Sequence, residues 1–352
     1  MSAQEKNVNI SAKKKRDYTQ PPRFTVASSP HITSGENVTK IMLDVMIALL
    51  PSLGVATYFF GFRALIMTVV AIGSCVFFEF LYRLLMKKPQ TIGDLSACVT
   101  GMLLAMCLPA NAPYWLAIVG SFFAIVVVKQ LYGGLGKNFM NPALAGRVFL
   151  FSYPALMNTW VAAGTDHWTG LGMTVDATTA ATPMASLHQG VLPELTLQEM
   201  LVGAHGGSLG EIASAALILG GIYLILRKVI SVRIPLCYLG TVAVLTYLFP
   251  LGGNDPLEWM LYNLLGGGLL LGAFFMATDY VTSPVTPRGQ VIFGIGCGAL
   301  TVFLRYFGVY PEGVSFAILI MNAFVWLLDK AGFPHRYGTP RFWNKKKGGE
   351  DA

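Results

Sequence analysis

Lysine and arginine are missing from residues 157–209, although that stretch holds Asp166, Asp176, Glu194 and Glu199. Charge is scarce elsewhere too: 12% of the 352 residues are charged and 54% are hydrophobic, where a soluble domain averages about 25% charged. That excludes an ordinary soluble domain and points to one membrane-embedded body. The five cysteines (Cys75, Cys98, Cys107, Cys237 and Cys297) form no CxxC or other ligand spacing. They are read as small core residues, which excludes a disulfide framework and an iron–sulfur cluster held by this chain alone. No dinucleotide fingerprint is present, so direct nicotinamide dinucleotide binding is not expected. Gly133-Gly-Leu-Gly136-Lys137 fails as a P-loop, because Leu131 stands at the first glycine position and Asn138 follows the lysine. His31, His167, His188, His205 and His335 lack ligand spacing and are read as solvated polar residues.

The net charge of +7 is concentrated at the ends: residues 1–40 and 330–352 together contribute +8, and the middle −1. Basic tails on an apolar body fit cytoplasmic ends held near anionic headgroups of the lipid bilayer, and no nucleic-acid partner is expected. Lys13-Lys14-Lys15-Arg16 is then a solvated run. The polar first 40 residues give no cleavable signal peptide.

With roughly 20 apolar residues per span as the template, about ten spans are expected, near 41–60, 64–85, 95–108, 114–131, 141–156, 209–226, 234–251, 260–277, 291–307 and 313–328. The fold class is therefore an all-α polytopic membrane protein. Several segments are short or interrupted by proline, as half-helices and re-entrant elements are. Ten spans with the N-terminus inside place Arg83, Lys87, Lys88, Lys129, Lys137, Arg147, Arg227, Lys228, Arg233 and Arg288 at the cytoplasmic face, and only Arg63 and Arg305 outside. That bias makes the chain a multi-pass cell-membrane protein with cytoplasmic termini and an extracytoplasmic 157–208 loop. A weak internal echo pairs Gly101-Met-Leu-Leu-Ala-Met with Gly267-Gly-Leu-Leu-Leu-Gly, and Asn141-Pro142 with Ser283-Pro284. It suggests two inverted five-helix repeats with broken helices. The expected organisation is a cytoplasmic arm (1–40), a first repeat (41–156), the loop (157–208), a second repeat (209–329) and a cytoplasmic tail (330–352).

Three places carry residues suited to chemistry. In Asp176-Ala-Thr-Thr-Ala-Ala-Thr182-Pro183, small neighbours leave a threonine hydroxyl open to a docking enzyme, and Pro183 disfavours helix at Thr182. Tyr132 to Asn141 reads as a compact turn in which Asn138 and Asn141 either cap a helix or hydrogen-bond a ligand. Acids inside apolar segments are costly and point to ion handling. Glu79, deep in the second segment, and Asp279, at the end of the eighth, are the ion-pathway candidates; Asp44 and Asp329 lie nearer to segment ends.

The stretch Asp176 to Thr182 resembles the flavin-transfer motif Asp-Gly-x-Ser/Thr-x-Ala-Thr, with Ala177 in place of the usual glycine. Lys129-Gln-Leu-Tyr-Gly-Gly-Leu-Gly-Lys-Asn138-Phe-Met-Asn141-Pro142-Ala, Met276-Ala-Thr-Asp279-Tyr-Val-Thr-Ser-Pro284 and Tyr310-Pro-Glu-Gly313-Val-Ser-Phe-Ala resemble stretches of the RnfD/NqrB family. The resemblance covers residues from about 24 to 339, and the length and short N-terminal arm favour the Rnf side. It implies covalent FMN in a phosphoester to Thr182, with Asp176 and Thr179 in the attachment motif. It also makes Asn138 and Asn141 candidates for a second, noncovalent flavin (riboflavin). The implied activity is that of one redox subunit in an ion-translocating oxidoreductase (Rnf) complex, coupling electron transfer between ferredoxin and NAD to Na⁺ or H⁺ movement. The implied partners are the other Rnf subunits, including a second FMN-carrying subunit, and a flavin transferase. Two rivals are an Nqr counterpart passing electrons to quinone and a passive channel or transporter for a small solute, which broken helices would serve equally well.

Overall fold

The computed structural model describes residues 37–158, 160–161, 182–203 and 205–332. Regular structure among them is helical, apart from an isolated bridge between Pro109 and Ser208. Two long apolar helices come first, α1 (Val38–Phe60) and α2 (Phe62–Leu85), turning on Gly61 at φ 72°. At 1.5 Å per residue each is about 35 Å long, enough for a hydrocarbon core of about 30 Å. Next come α3 (Ser96–Met106), α4 (Tyr114–Phe122, continued as a π-helix over Phe123–Gln130) and α5 (Pro142–Leu150). Short α6 (Pro154–Met157), α7 (Pro183–His188) and α8 (Leu197–Val202) belong to the central connection. The second half comprises α9 (Ser214–Leu226), α10 (Arg233–Leu248), α11 (Pro256–Leu265), α12 (Leu269–Leu271, continued as a π-helix over Gly272–Met276), α13 (Pro287–Phe307) and α14 (Val314–Gly332).

Every expected apolar segment coincides with a helix or a broken one, and the chain is an all-α membrane protein. By length and composition α1, α2 and α13 can each cross a membrane, and α11 with α12 makes a fourth apolar stretch bent by 62°. Others are shorter because the backbone is interrupted. Leu95, at φ 61°, starts α3, and the helix stops just before Pro109. Its eleven residues reach about 16 Å, and all but Cys98 are buried. Broken backbone is tolerated at membrane depth only where protein covers it, and α3 is covered by α2, α4 and α5.

One interruption recurs at the same spacing in the second half of the chain. Leu95 (φ 61°) precedes the start of α4 by 19 residues, and Gly268 (φ 63°), which starts α12, precedes the start of α13 by 19. Asn141-Pro142 opens α5 and Ser283-Pro284 lies in the connection before α13, so those two dipeptides occupy different places in the order of elements. Glycine permits the closest helix approaches, as small residues do in membranes. A Cβ on Gly294 or Gly298 of α13 would lie 2.8 Å from Cys237 Cβ or 2.7 Å from Thr241 Cβ of α10, and one on Gly101 of α3 would lie 2.7 Å from Ile72 Cα of α2.

Overpacking of this kind typically costs about 1–3 kcal/mol. Gly101→Val is therefore expected to lower the thermal midpoint of the detergent-solubilised protein. Gly54→Ala, where an added Cβ meets nothing within 4 Å, is expected to leave it unchanged or raise it slightly, since alanine favours helix. Equal midpoints for the two variants would contradict the packing of α3 on α2.

Candidate functional site

Glu79 sits on the face of α2 that packs against α3 and α4, and its side chain is fully buried. Lys129, next to last in the π-helical continuation of α4, points back inward at 2% exposure. Its Nζ lies 2.7 Å from Glu79 Oε2 and donates to Ser96 Oγ at 2.6 Å, at the first residue of α3. Thr91 donates to Glu79 Oε1 at 2.7 Å, and Arg83 Nε, one turn along α2, lies 3.9 Å from the same oxygen. The intramembrane acid thus has a cation and a hydroxyl donor. Counting Lys129 as a basic residue at the cytoplasmic face missed this: its partner is 50 residues away in sequence.

Beside this pair lies a cavity of about 80 Å³, lined by Ser96, Lys129, Asn138, Asn141, Thr278 and Asp279 among apolar side chains. Asn141 caps α5, its Oδ1 accepting from Ala143 N at 3.0 Å and Leu144 N at 3.4 Å, while its Nδ2 donates to the carbonyl of Met276 at 3.2 Å. The Asn138 amide donates to the Met140 carbonyl at 3.1 Å. Asp279 is half-buried; desolvation pushes its carboxyl above the ordinary range, against the pull of the Thr282 hydroxyl, which donates at 3.0 Å. The sequence-predicted Asn138, Asn141 and Asp279 therefore line one cavity together with Lys129, the partner of Glu79.

Thr182 is elsewhere, on the connection between the halves; Asp176 and Thr179 lie outside the described residues. Thr182 is the N-cap of α7, its hydroxyl accepting from Ala185 N at 3.3 Å. It is 2% exposed. The expectation of an open hydroxyl is therefore corrected: Pro183 at the first helical position starts α7 directly after the threonine, and Met184 and Leu187 draw that turn against Met200, Trp259 and Tyr262. Two further readings change. His205 is buried, not solvated, and burial pushes its imidazole toward the neutral form. Arg147 and Arg305, counted on opposite faces, are both buried and both act on Glu211 and Glu312. The remaining pairs are Asp44 with Arg227 (3.0 Å) and Asp329 accepting from Val285 N (3.0 Å) and Thr286 N (3.1 Å). The five cysteines are free, and no cluster of metal-ligating side chains occurs among the described residues.

Removing one partner of a buried ion pair costs about 3–5 kcal/mol, because the other charge is left uncompensated. Lys129→Met is expected to destabilise the protein by about that amount, and Glu79→Gln combined with Lys129→Met to recover most of the loss. A double-mutant cycle from thermal or denaturant unfolding measures the coupling; additive losses would show that the two side chains do not stabilise each other.

Residues 25–338 match the NQR2, RnfD, RnfE family. The chain is 45% identical over 328 residues to the D subunit of the Na(+)-translocating ferredoxin:NAD(+) oxidoreductase complex of Acetobacterium woodii, an alignment covering 92% of this chain and 98% of the relative. It is 42% identical over 334 residues to the D subunit of the proton-translocating ferredoxin:NAD(+) oxidoreductase complex of Clostridium ljungdahlii, covering 90% and 97%. It is 38% identical over 342 residues to the D subunit of the ion-translocating oxidoreductase complex of Shewanella amazonensis, covering 90% and 98%. Matched along nearly its whole length, and built of the interrupted apolar helices described above, the chain belongs to the NQR2, RnfD, RnfE family.

Proposed function

We propose that this chain is the D-type membrane component of an ion-translocating Rnf complex, in which it carries FMN on Thr182 and helps couple electron transfer between ferredoxin and NAD to ion movement. The observation that carries the reading is the end-to-end similarity to the corresponding components of two ferredoxin:NAD(+) oxidoreductase complexes. It favours the Rnf reading over a quinone-reducing Nqr counterpart. The chain works with the other subunits, one of them a second flavin carrier, and a flavin transferase matures it. Its tails face the cytoplasm and its central connection the opposite side, as the absence of lysine and arginine from 157–209 supports.

Thr182 suits a tether in position and chemistry, but its hydroxyl is covered once α7 has packed. Attachment therefore precedes that packing, or requires α7 to lift from Trp259 and Tyr262. When bound, FMN supplies the electron transfer; the chain supplies the anchoring hydroxyl and a buried apolar footing beside it. The cavity at Asn138 and Asn141 is well below the roughly 300–1,000 Å³ of small-molecule pockets. It does not fit a flavin ring as it stands, and no electron step is assigned to it. Glu79, paired with Lys129, and Asp279, which lines the same cavity as Lys129, are the proposed ion-handling acids.

Co-expression with a flavin transferase, followed by denaturing electrophoresis, tests the anchor. The wild-type band is expected to fluoresce, Thr178→Val, at the variable position of the motif, to fluoresce equally, and Thr182→Val to be dark; the mass of the peptide holding Thr182 gives the same answer. A dark wild-type band would favour the solute-channel reading. Glu79→Gln replaces a charge-assisted hydrogen bond worth about 1.5–3 kcal/mol. Coupled ion transport is expected to fall about tenfold, a change of about 1.4 kcal/mol, with flavin content retained. Unchanged transport at limiting ion concentration would remove Glu79 from the path.

A further inference from the structure

Four buried charged side chains take no part in the proposed path and meet where the connections before α9 and α14 approach α5 and α13. Glu211 is 1% exposed, Glu312 6%, Arg147 4% and Arg305 2%. The guanidinium of Arg147 pairs with Glu312 Oε2 and donates to Ser315 Oγ at 3.1 Å. Arg305 turns instead to backbone carbonyls, donating to those of Asn263 and Gly266, and among the described residues it forms no ion pair with a carboxylate. Glu211 accepts from Gly267 N at 2.6 Å through Oε1, and at 3.4 Å from both the amide and the hydroxyl of Ser208 through Oε2. Glu312 Oε1 is buried and accepts no hydrogen bond among the described residues. Among the described residues, the side chain within hydrogen-bonding reach of Glu312, besides Arg147, is Glu211, another acceptor.

Two ionised carboxylates in contact repel and leave acceptor facing acceptor; one proton between them removes the repulsion and supplies the missing donor. We infer that Glu211 and Glu312 form a proton-binding pair that holds one exchangeable proton between them. Binding forms an O–H bond on one carboxyl group, which then donates to the other; release returns the proton to water and leaves two carboxylates against Arg147. Burial, and then the charge of Glu211, push the Glu312 carboxyl upward more than Arg147 holds it down. The other ionisable groups acting on the pair are Arg305 from α13 and the Cys107 thiol after α3. His205, six residues before Glu211, is held toward neutral by burial. The pair titrates as a unit, so its proton belongs to neither residue alone.

The inference is independent of the flavin reading, and its test needs no flavin. Infrared titration of the full-length chain in detergent, in H₂O and D₂O, reads the carbonyl stretch of a protonated carboxylic acid. A band present at neutral pH is expected to vanish on alkaline titration. It is expected to be lost in Glu312→Gln and in Glu211→Gln, and to survive in Glu79→Gln. In either glutamine variant an amide N–H stands in for the bound proton, so the fold is retained. Because the pair's folded value is raised, its contribution to stability is complete below the ordinary carboxylate range and is lost as pH rises through the folded value. The wild-type thermal midpoint is thus expected to fall across that window, and that of Glu312→Gln to stay flat. A wild type without the band, or a band surviving in both glutamine variants, overturns the inference. So does a midpoint that rises with Na⁺ at constant ionic strength in the wild type but not in Glu312→Gln, which would make the pair a metal-cation site.

Discussion

A helix that stops inside a membrane leaves backbone N–H or C=O groups with no water to meet them. Most of the buried polar chemistry in this chain answers that one requirement. The carbonyls of Asn263 and Gly266, where α11 gives way to α12, receive Arg305, and the amide of Gly267 receives Glu211. The carbonyl of Met276, at the far end of α12, receives the side chain of Asn141, which also caps α5. Arg63 spans the carbonyls of Ala110, Asn111 and Ala112 at 2.9–3.1 Å in the turn that follows α3. Cations therefore sit where carbonyls are orphaned, and an acid or amide sits where N–H groups are, as the charge at helix ends favours.

This requirement explains both what was legible in the sequence and what was not. The apolar segments, their shortness and the breaks at Pro109 and Asn141-Pro142 are local signals, and each appears in the structure as a helix or a helix end. Pro183 keeps Thr182 out of the helix, as expected from the sequence, and α7 starts directly after it, although the burial of the hydroxyl depends on Trp259 and Tyr262, far along the chain. The pairs themselves leave no local trace. Glu79 and Lys129 are 50 residues apart, and Arg147 and Glu312 are 165 apart. A topology count treats every lysine and arginine as a head at an interface, whereas Arg83, Lys129, Arg147 and Arg305 are turned inward to satisfy backbone or acids. Similarity to known proteins identified the family; packing alone revealed which charges the fold keeps for itself.

The same economy bears on ion specificity. The two relatives at 45% and 42% identity are named for different ions, one Na⁺ and the other the proton. A carboxylate paired with a lysine, as Glu79 is, differs from two carboxylates facing each other, as Glu211 and Glu312 do. The first already has its positive partner; the second lacks a donor that a proton supplies.

Glu79 can serve an entering cation only if Lys129 gives way. The ammonium has Ser96 as its other acceptor, next to a small cavity that Asp279 also lines. A cation arriving at Glu79 would push the ammonium toward that cavity, where the Asp279 carboxyl, raised by desolvation and already pulled down in part by Lys129, would feel the positive charge more strongly. Displacement of the ammonium would thus be felt by the other acid of the proposed path, over the few side chains that join the start of α3 to the end of α12. An additional uncompensated charge at that depth is costly to hold, so a cation at Glu79 requires a compensating shift of the Lys129 ammonium.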